Sequence, residues 1–151
     1  MKWLSGKGPV TTVVRVKDME VIDGKVAFKV SGILPGNPDF YPRWDNDGNG
    51  YDYSTFFKKW VTTMQLPIET GHRWYNGVSH YIRWGRKFAS VQYGKHTFED
   101  CWERIQEIPS GDITDIYCPG VGMVRSSNAE TAKYGTIWEL ILEDFHEPIE
   151  G

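Results

Sequence analysis

The sequence predicts an α+β fold: a mainly antiparallel sheet of about seven strands with two or three short helices, in a single domain over residues 1–151. Three observations carry that expectation. Short runs rich in Val, Ile, Thr, Tyr, Phe and Trp alternate with polar residues, as half-buried strands require. Tight-turn dipeptides such as Asp23-Gly24 and Asn76-Gly77 separate these runs. A few stretches instead space their apolar residues three and four apart, behind a side chain able to cap a helix.

The elements follow in order. Val10 to Lys17 is β-branched and alternates, so it reads as a strand. Asp23-Gly24 sits between Val21-Ile22 and Lys25-Val26, and both turn positions tolerate positive φ, so a hairpin is expected there. Val26, Phe28 and Val30 lie on one face of the return strand. Pro35-Gly36-Asn37-Pro38 ends it and opens a long connection over 35–53, a length that suits a lid or a binding loop. Ser54 or Thr55 caps an expected helix bearing Phe56, Phe57, Trp60, Val61 and Met64, which Pro67 stops. Residues 72–94 read as a three-stranded meander turning at Asn76-Gly77 and Gly85-Arg86. Thr97 starts a second expected helix, with Cys101, Trp102, Ile105 and Ile108 as its apolar stripe and Pro109-Ser110-Gly111 as its end. Ile113 to Cys118 and Val121 to Arg125 are short strands around Pro119-Gly120. Ser127-Asn128-Ala129-Glu130 forms a capping box for a helical segment closing at Gly135. Thr136 to Phe145 suits a strand better than a helix, because its apolar run is short.

Composition limits the function classes. Hydrophobic residues are 40% and the net charge is −3, so a packed core outweighs disorder. No apolar run is long enough for a membrane-spanning helix and the N-terminal residues lack a secretory h-region, so a cytoplasmic protein without membrane contact is expected. Cys101 and Cys118 are then expected as free, buried thiols in a reducing compartment. The charge is unevenly distributed. Residues 70–98 hold Arg73, Arg83, Arg86, Lys87 and Lys95 with no acid, whereas residues 99–151 hold twelve acids against three bases.

Seven Trp, eight Tyr and seven Phe concentrate interest on the basic meander. With two-residue turns, one face carries Tyr75, Val78, His80, Ile82, Ala89, Val91 and Tyr93 as the core side. The other carries His72, Trp74, Tyr81, Arg83 and Phe88. Rings on an open sheet stack on bases, and neighbouring cations meet phosphate. The resulting expectation is a binding protein for a mono- or cyclic nucleotide, or a short single-stranded nucleic acid. Trp74, Tyr81 and Phe88 would stack, and Arg73, Arg83, Arg86 and Lys87 would hold phosphate. The competing structural role for the same rings is a core covered by a helix. Two rival functions stand beside it. One is an interaction or inhibitor protein, of the kind phages use against a host, docking a basic partner with its acidic last third through Trp138 and Phe145. The other is a small enzyme with an aromatic pocket and His80 or His96 as acid–base group.

The loop Asp45-Asn46-Asp47-Gly48-Asn49-Gly50 matches half a calcium loop. Asp45, Asp47, Asn49 and Asp52 are the candidate oxygen ligands, but Phe56 stands where a bidentate Glu belongs. An Asx-rich turn accounts for the same residues. No phosphate loop, zinc-type Cys/His spacing or nucleophile elbow is present, and no cofactor is implied otherwise.

Overall fold

The computed structural model describes residues 2–5, 8–11, 14–32, 39–128 and 139–141, the first two segments and the last by backbone alone. These residues are all-β and contain no helix, which corrects the α+β expectation. Thirteen strands are present: β1 Lys2–Ser5, β2 Gly8–Thr11, β3 Arg15–Ile22, β4 Lys25–Ser31, β5 Pro42–Trp44, β6 Gly50–Ser54, β7 Lys59–Met64, β8 Arg73–Tyr75, β9 Tyr81–Tyr93, β10 His96–Glu107, β11 Ile113–Cys118, β12 Gly122–Ser127 and β13 Glu139–Ile141. They form an eight-stranded sheet of order β2-β1-β13-β12-β11-β10-β9-β8, a two-stranded sheet β3-β4 and a three-stranded sheet β5-β6-β7. Every pairing is antiparallel.

The expected helix after Ser54 is a hairpin. Ser54 Oγ does accept the Phe57 N–H, but the segment 55–58 is a turn with Lys58 at φ 53°, and β7 follows. Its β-branched centre, Val61-Thr62-Thr63, favours the strand. The expected helix from Thr97 is β10, the partner of the long β9. Phe98, Trp102 and Ile105 fit a pleated surface as well as a helical stripe, and pairing with β9 overrides the helix preference of Glu99, Glu103, Arg104, Gln106 and Glu107. The capping box after Ser127 falls largely on residues 129–138, outside the described residues. The strand expected over 136–145 is present as β13 where it is described.

Hairpins fared better. Asp23 and Gly24 close β3 onto β4 with φ 48° and 75°. Pro119-Gly120 joins β11 to β12. The meander is different. Asn76-Gly77 lies in a five-residue loop, residues 76–80, closed by the Asn76 carboxamide. Its Oδ1 accepts the N–H groups of Val78, Ser79 and His80. Gly85-Arg86 does not turn: β9 continues through it, with a bulge against β10, to a hairpin at Gly94-Lys95.

Two cores form on the large sheet. Cys101, Ile116, Cys118, Val124 and Phe98 make one, with Phe88 and Val91 packed against it. Trp74, Ile82 and Trp84 make the other, against Met64 and Trp102. The three-stranded sheet covers this second core through β7. Trp74 Nε1 donates to the Thr62 carbonyl (3.0 Å), Trp84 Nε1 to Gln65 (2.9 Å) and Arg104 Nη1 to Thr63 (2.8 Å). Cys101 and Cys118 face each other across β10 and β11, with Cα atoms 4.3 Å apart, and form a disulfide. This corrects the expectation of free thiols; both residues are buried as expected, but bonded.

Candidate functional site

Of the residues expected to form one stacking face, the structure brings only some together. β8 and β9 pair Arg73 with Arg83, Trp74 with Ile82 and Tyr75 with Tyr81. Directly opposed residues share a face, so Trp74 and Tyr81 lie on opposite sides. A two-residue turn would pair Tyr75 with Val78; the five-residue loop at 76–80 shifts the partner by three, to Tyr81, and an odd shift exchanges the faces. Trp74 is 4% exposed and belongs to the core, its ring 5.8 Å from that of Trp84. Tyr75 and Tyr81 are exposed, with ring centroids 5.2 Å apart. Arg73 lies 3.7 Å over the Tyr81 ring and donates to Glu107 at 2.8 and 3.1 Å. Arg83 also reaches Glu107, at 3.6 Å. The Arg73 hydrogen bond holds the Glu107 carboxyl below its ordinary range. Phe88 is half-buried farther along β9, with Arg86 over it at 5.1 Å, and Lys87 lies toward Trp102.

The aspartate loop is a β5–β6 hairpin connection. Asp45 spends its oxygens within it. Oδ1 accepts the N–H groups of Asp47 and Asn49, and Oδ2 accepts Asn49 Nδ2 and the Tyr51 hydroxyl. Asn49 Oδ1 accepts the Leu66 N–H. Asp52 points elsewhere, so the four candidate calcium ligands do not converge. Among the described residues no group of three or more His, Cys, Asp or Glu side chains is placed to hold a metal.

Asp52 lines a cavity of about 230 Å³ between the three-stranded sheet and the large sheet. β6 and β7 supply Asp52, Ser54, Val61 and Thr63. The large sheet and its 76–80 loop supply His80, Ile82, Arg104 and Gln106, and Phe40 closes one side. Alternation explains the gathering. Arg104 and Gln106 share a face of β10 with Trp102, and Asp115 opposes Arg104 on β11.

The polar side chains are tied in a chain. His80 Nε2 is 3.2 Å from Gln106 Oε1, and Gln106 Nε2 donates to Asp115 Oδ2 at 2.9 Å. Arg104 donates to the same oxygen through Nε (3.2 Å) and Nη2 (2.6 Å), while the Ser126 hydroxyl donates to Oδ1. Its guanidinium also lies 4.8 Å from the Tyr117 ring centroid. Arg104 is 7% exposed and Asp115 1%. Burial works against the guanidinium charge, but Tyr117, Asp115 and Asp52 together outweigh it and hold the group above its ordinary value. Burial pushes the Tyr117 hydroxyl up to about 12. Burial likewise raises Asp52, although the Tyr41 N–H donates to its Oδ1 at 2.8 Å.

Three donors of Arg104 are engaged, out of the five that a guanidinium has. What the cavity offers a guest is therefore a fixed cation with spare donors, a carboxyl disposed to hold its proton, two hydroxyls, and apolar walls. The sequence singles out His80 and Asp52, for other roles, and does not mark Arg104, Gln106, Asp115 or Thr63. The available signal was period two over Trp102, Arg104 and Gln106, legible once 96–107 is taken as a strand. His96, the other acid–base candidate, lies in a separate open depression with Phe98 and Pro119. No protein-family model matches the chain, and neither a curated protein nor a solved structure shows significant similarity to it.

Proposed function

We propose that the protein binds a small polar ligand in the cavity between the three-stranded sheet and the large sheet. The observation that carries this reading is Arg104, a buried arginine oriented by Asp115 and Thr63 that still has unspent donors where it lines the cavity. A buried cation is costly, and a preoriented one suits recognition. Water occupies about 30 Å³ per molecule in the liquid, so a 230 Å³ space takes a ligand of about six to ten non-hydrogen atoms. A whole nucleotide exceeds that. The Cys101–Cys118 bridge supports placing this role in an oxidising compartment rather than in the cytoplasm.

The test is calorimetry and thermal shift with a small-molecule panel spanning organic acids, amides, small polyols, amino acids and nucleobases. At least one member should raise the melting temperature and perturb amide resonances of residues 52–54, 63 and 104–106. A panel without a binder refutes the reading.

A second reading has its own support in the exposed Tyr75–Tyr81 pair beside Arg73 and Arg83. There a nucleotide or short single strand stacks its base on a tyrosine, worth about 1–3 kcal/mol per base. Oligonucleotide titrations that leave tyrosine fluorescence unchanged at low salt would remove it.

A further inference from the structure

Resting on the cavity reading, we infer that the ligand is a small organic acid, and that it enters together with one proton that resides between its carboxylate and Asp52. The argument is one of charge. Arg104 is the only arginine or lysine lining the cavity among the described residues, and its charge is already offset by Asp115 through two hydrogen bonds. An incoming carboxylate therefore meets a neutral pair, and next to it the second carboxyl, Asp52. Two ionised carboxylates do not share so small and sheltered a space; one proton held between them removes the conflict. The groups facing Asp52 do not supply that proton. Arg104 keeps its own, Asp115 accepts from Arg104, Gln106 and Ser126, and the Tyr117 hydroxyl stays protonated far into the alkaline range. His80 directs its Nε2 to Gln106 and its Nδ1 to Ser79, so neither ring nitrogen is bonded to Asp52. The proton comes from solvent and goes to Asp52, which burial already inclines to hold it. In the complex the guest oxygens accept the spare Arg104 N–H groups and the Asp52 O–H, and Ser54 and Thr63 contribute hydroxyls.

A neutral guest of the same shape needs no proton, and this separates the inference from the binding role itself. The experiment titrates the protein with small carboxylic acids from formate and acetate to benzoate, each beside its primary amide, at pH 5 to 8. Above the point where Asp52 titrates, the affinity of the acid should fall about tenfold per pH unit, and that of the amide should stay flat. Calorimetry in two buffers of different ionisation enthalpy should show uptake of one proton per acid bound at neutral pH. Asp52→Asn should keep acid binding and lose its pH slope, because the amide N–H replaces the carboxyl O–H. Acid binding that is flat with pH and takes up no proton overturns the inference. So does binding of amides or other neutral ligands without acids, and both of these outcomes leave the cavity as a binding site. If neither acids nor neutral ligands bind, the cavity reading fails along with it.

Discussion

Gly85 shows how a residue that reads as a turn serves another purpose. It lies mid-strand in β9, where a Cβ would run into the Glu103 carboxylate. At the irregularity between Trp102 and Arg104, Gly85 and Arg86 of β9 together oppose Glu103, whose Oε1 accepts the Arg86 N–H (3.3 Å) while Oε2 pairs with the Arg86 guanidinium (3.1 Å). The carboxylate is thus anchored at both oxygens and cannot swing away freely. Gly85→Ala should cost about 1–3 kcal/mol by overpacking, measured by denaturant unfolding. Adding Glu103→Ala should recover part of that cost, and a double variant no better than the sum of the singles would contradict the account. Asp52 makes a different prediction. Its folded-state affinity for the proton exceeds that of the unfolded chain, so its contribution to stability is present below about pH 4 and is lost as pH rises through the folded value. Asp52→Asn keeps the acceptor for Tyr41 and removes the titration. Melting temperatures from pH 4 to pH 8 should therefore decline less in the variant than in the parent, and parallel curves would refute it.

At the scale of elements, sequence pattern located most strands and misassigned their neighbours. Asp23-Gly24 was decisive because two adjacent residues had to accept positive φ. β10 was illegible as a strand because Cys101, Trp102, Ile105 and Ile108 satisfy helical spacing too; the feature that settled it, pairing with a thirteen-residue β9, is not local. The error propagated to the site, since Arg104 and Gln106 share a cavity-facing side only in a strand. The β3–β4 hairpin breaks the usual inward rule. Met19 pairs with Phe28 and Val21 with Val26, and all four side chains are exposed, Val21 at 71%. A flat apolar hairpin face is an association liability. Val21→Lys should lower concentration-dependent light scattering and leave the unfolding free energy within about 0.5 kcal/mol, since Val21 is largely exposed and its one cross-strand neighbour, Val26, is exposed too. A loss well beyond that range would show that the face is covered in solution.

Across the whole molecule, the sheets are joined by side chains reaching backbone and by a few backbone bonds, among them the Thr62 N–H to the Asn76 carbonyl (3.0 Å). Trp74, Trp84 and Arg104 each donate to carbonyls at the β7 end of the three-stranded sheet, while the Val30–Phe40 bridge and the ion pairs of Lys17 and Lys29 with Asp39 tie β3 and β4 to the segment before β5. Such an assembly depends on the position of β10, which carries the cation on one face and Cys101 on the other. Cys101–Cys118 fixes β10 to β11 near the middle of the eight-stranded order, closing a loop of 17 residues. Constraining a loop of that size removes unfolded-chain entropy worth about 3 kcal/mol. For a chain of this length each kcal/mol moves the melting temperature by about 2–4 °C, so reduction should lower it by about 6–12 °C. The bond is buried, so dithiothreitol added to the folded protein attacks only opened molecules. The comparison therefore needs protein reduced in denaturant and refolded under reductant, beside protein carried through the same steps without it. Equal melting temperatures would mean that the strand pairing, with the ion pair of Arg104 and Asp115 across it, holds β10 in place without the covalent link.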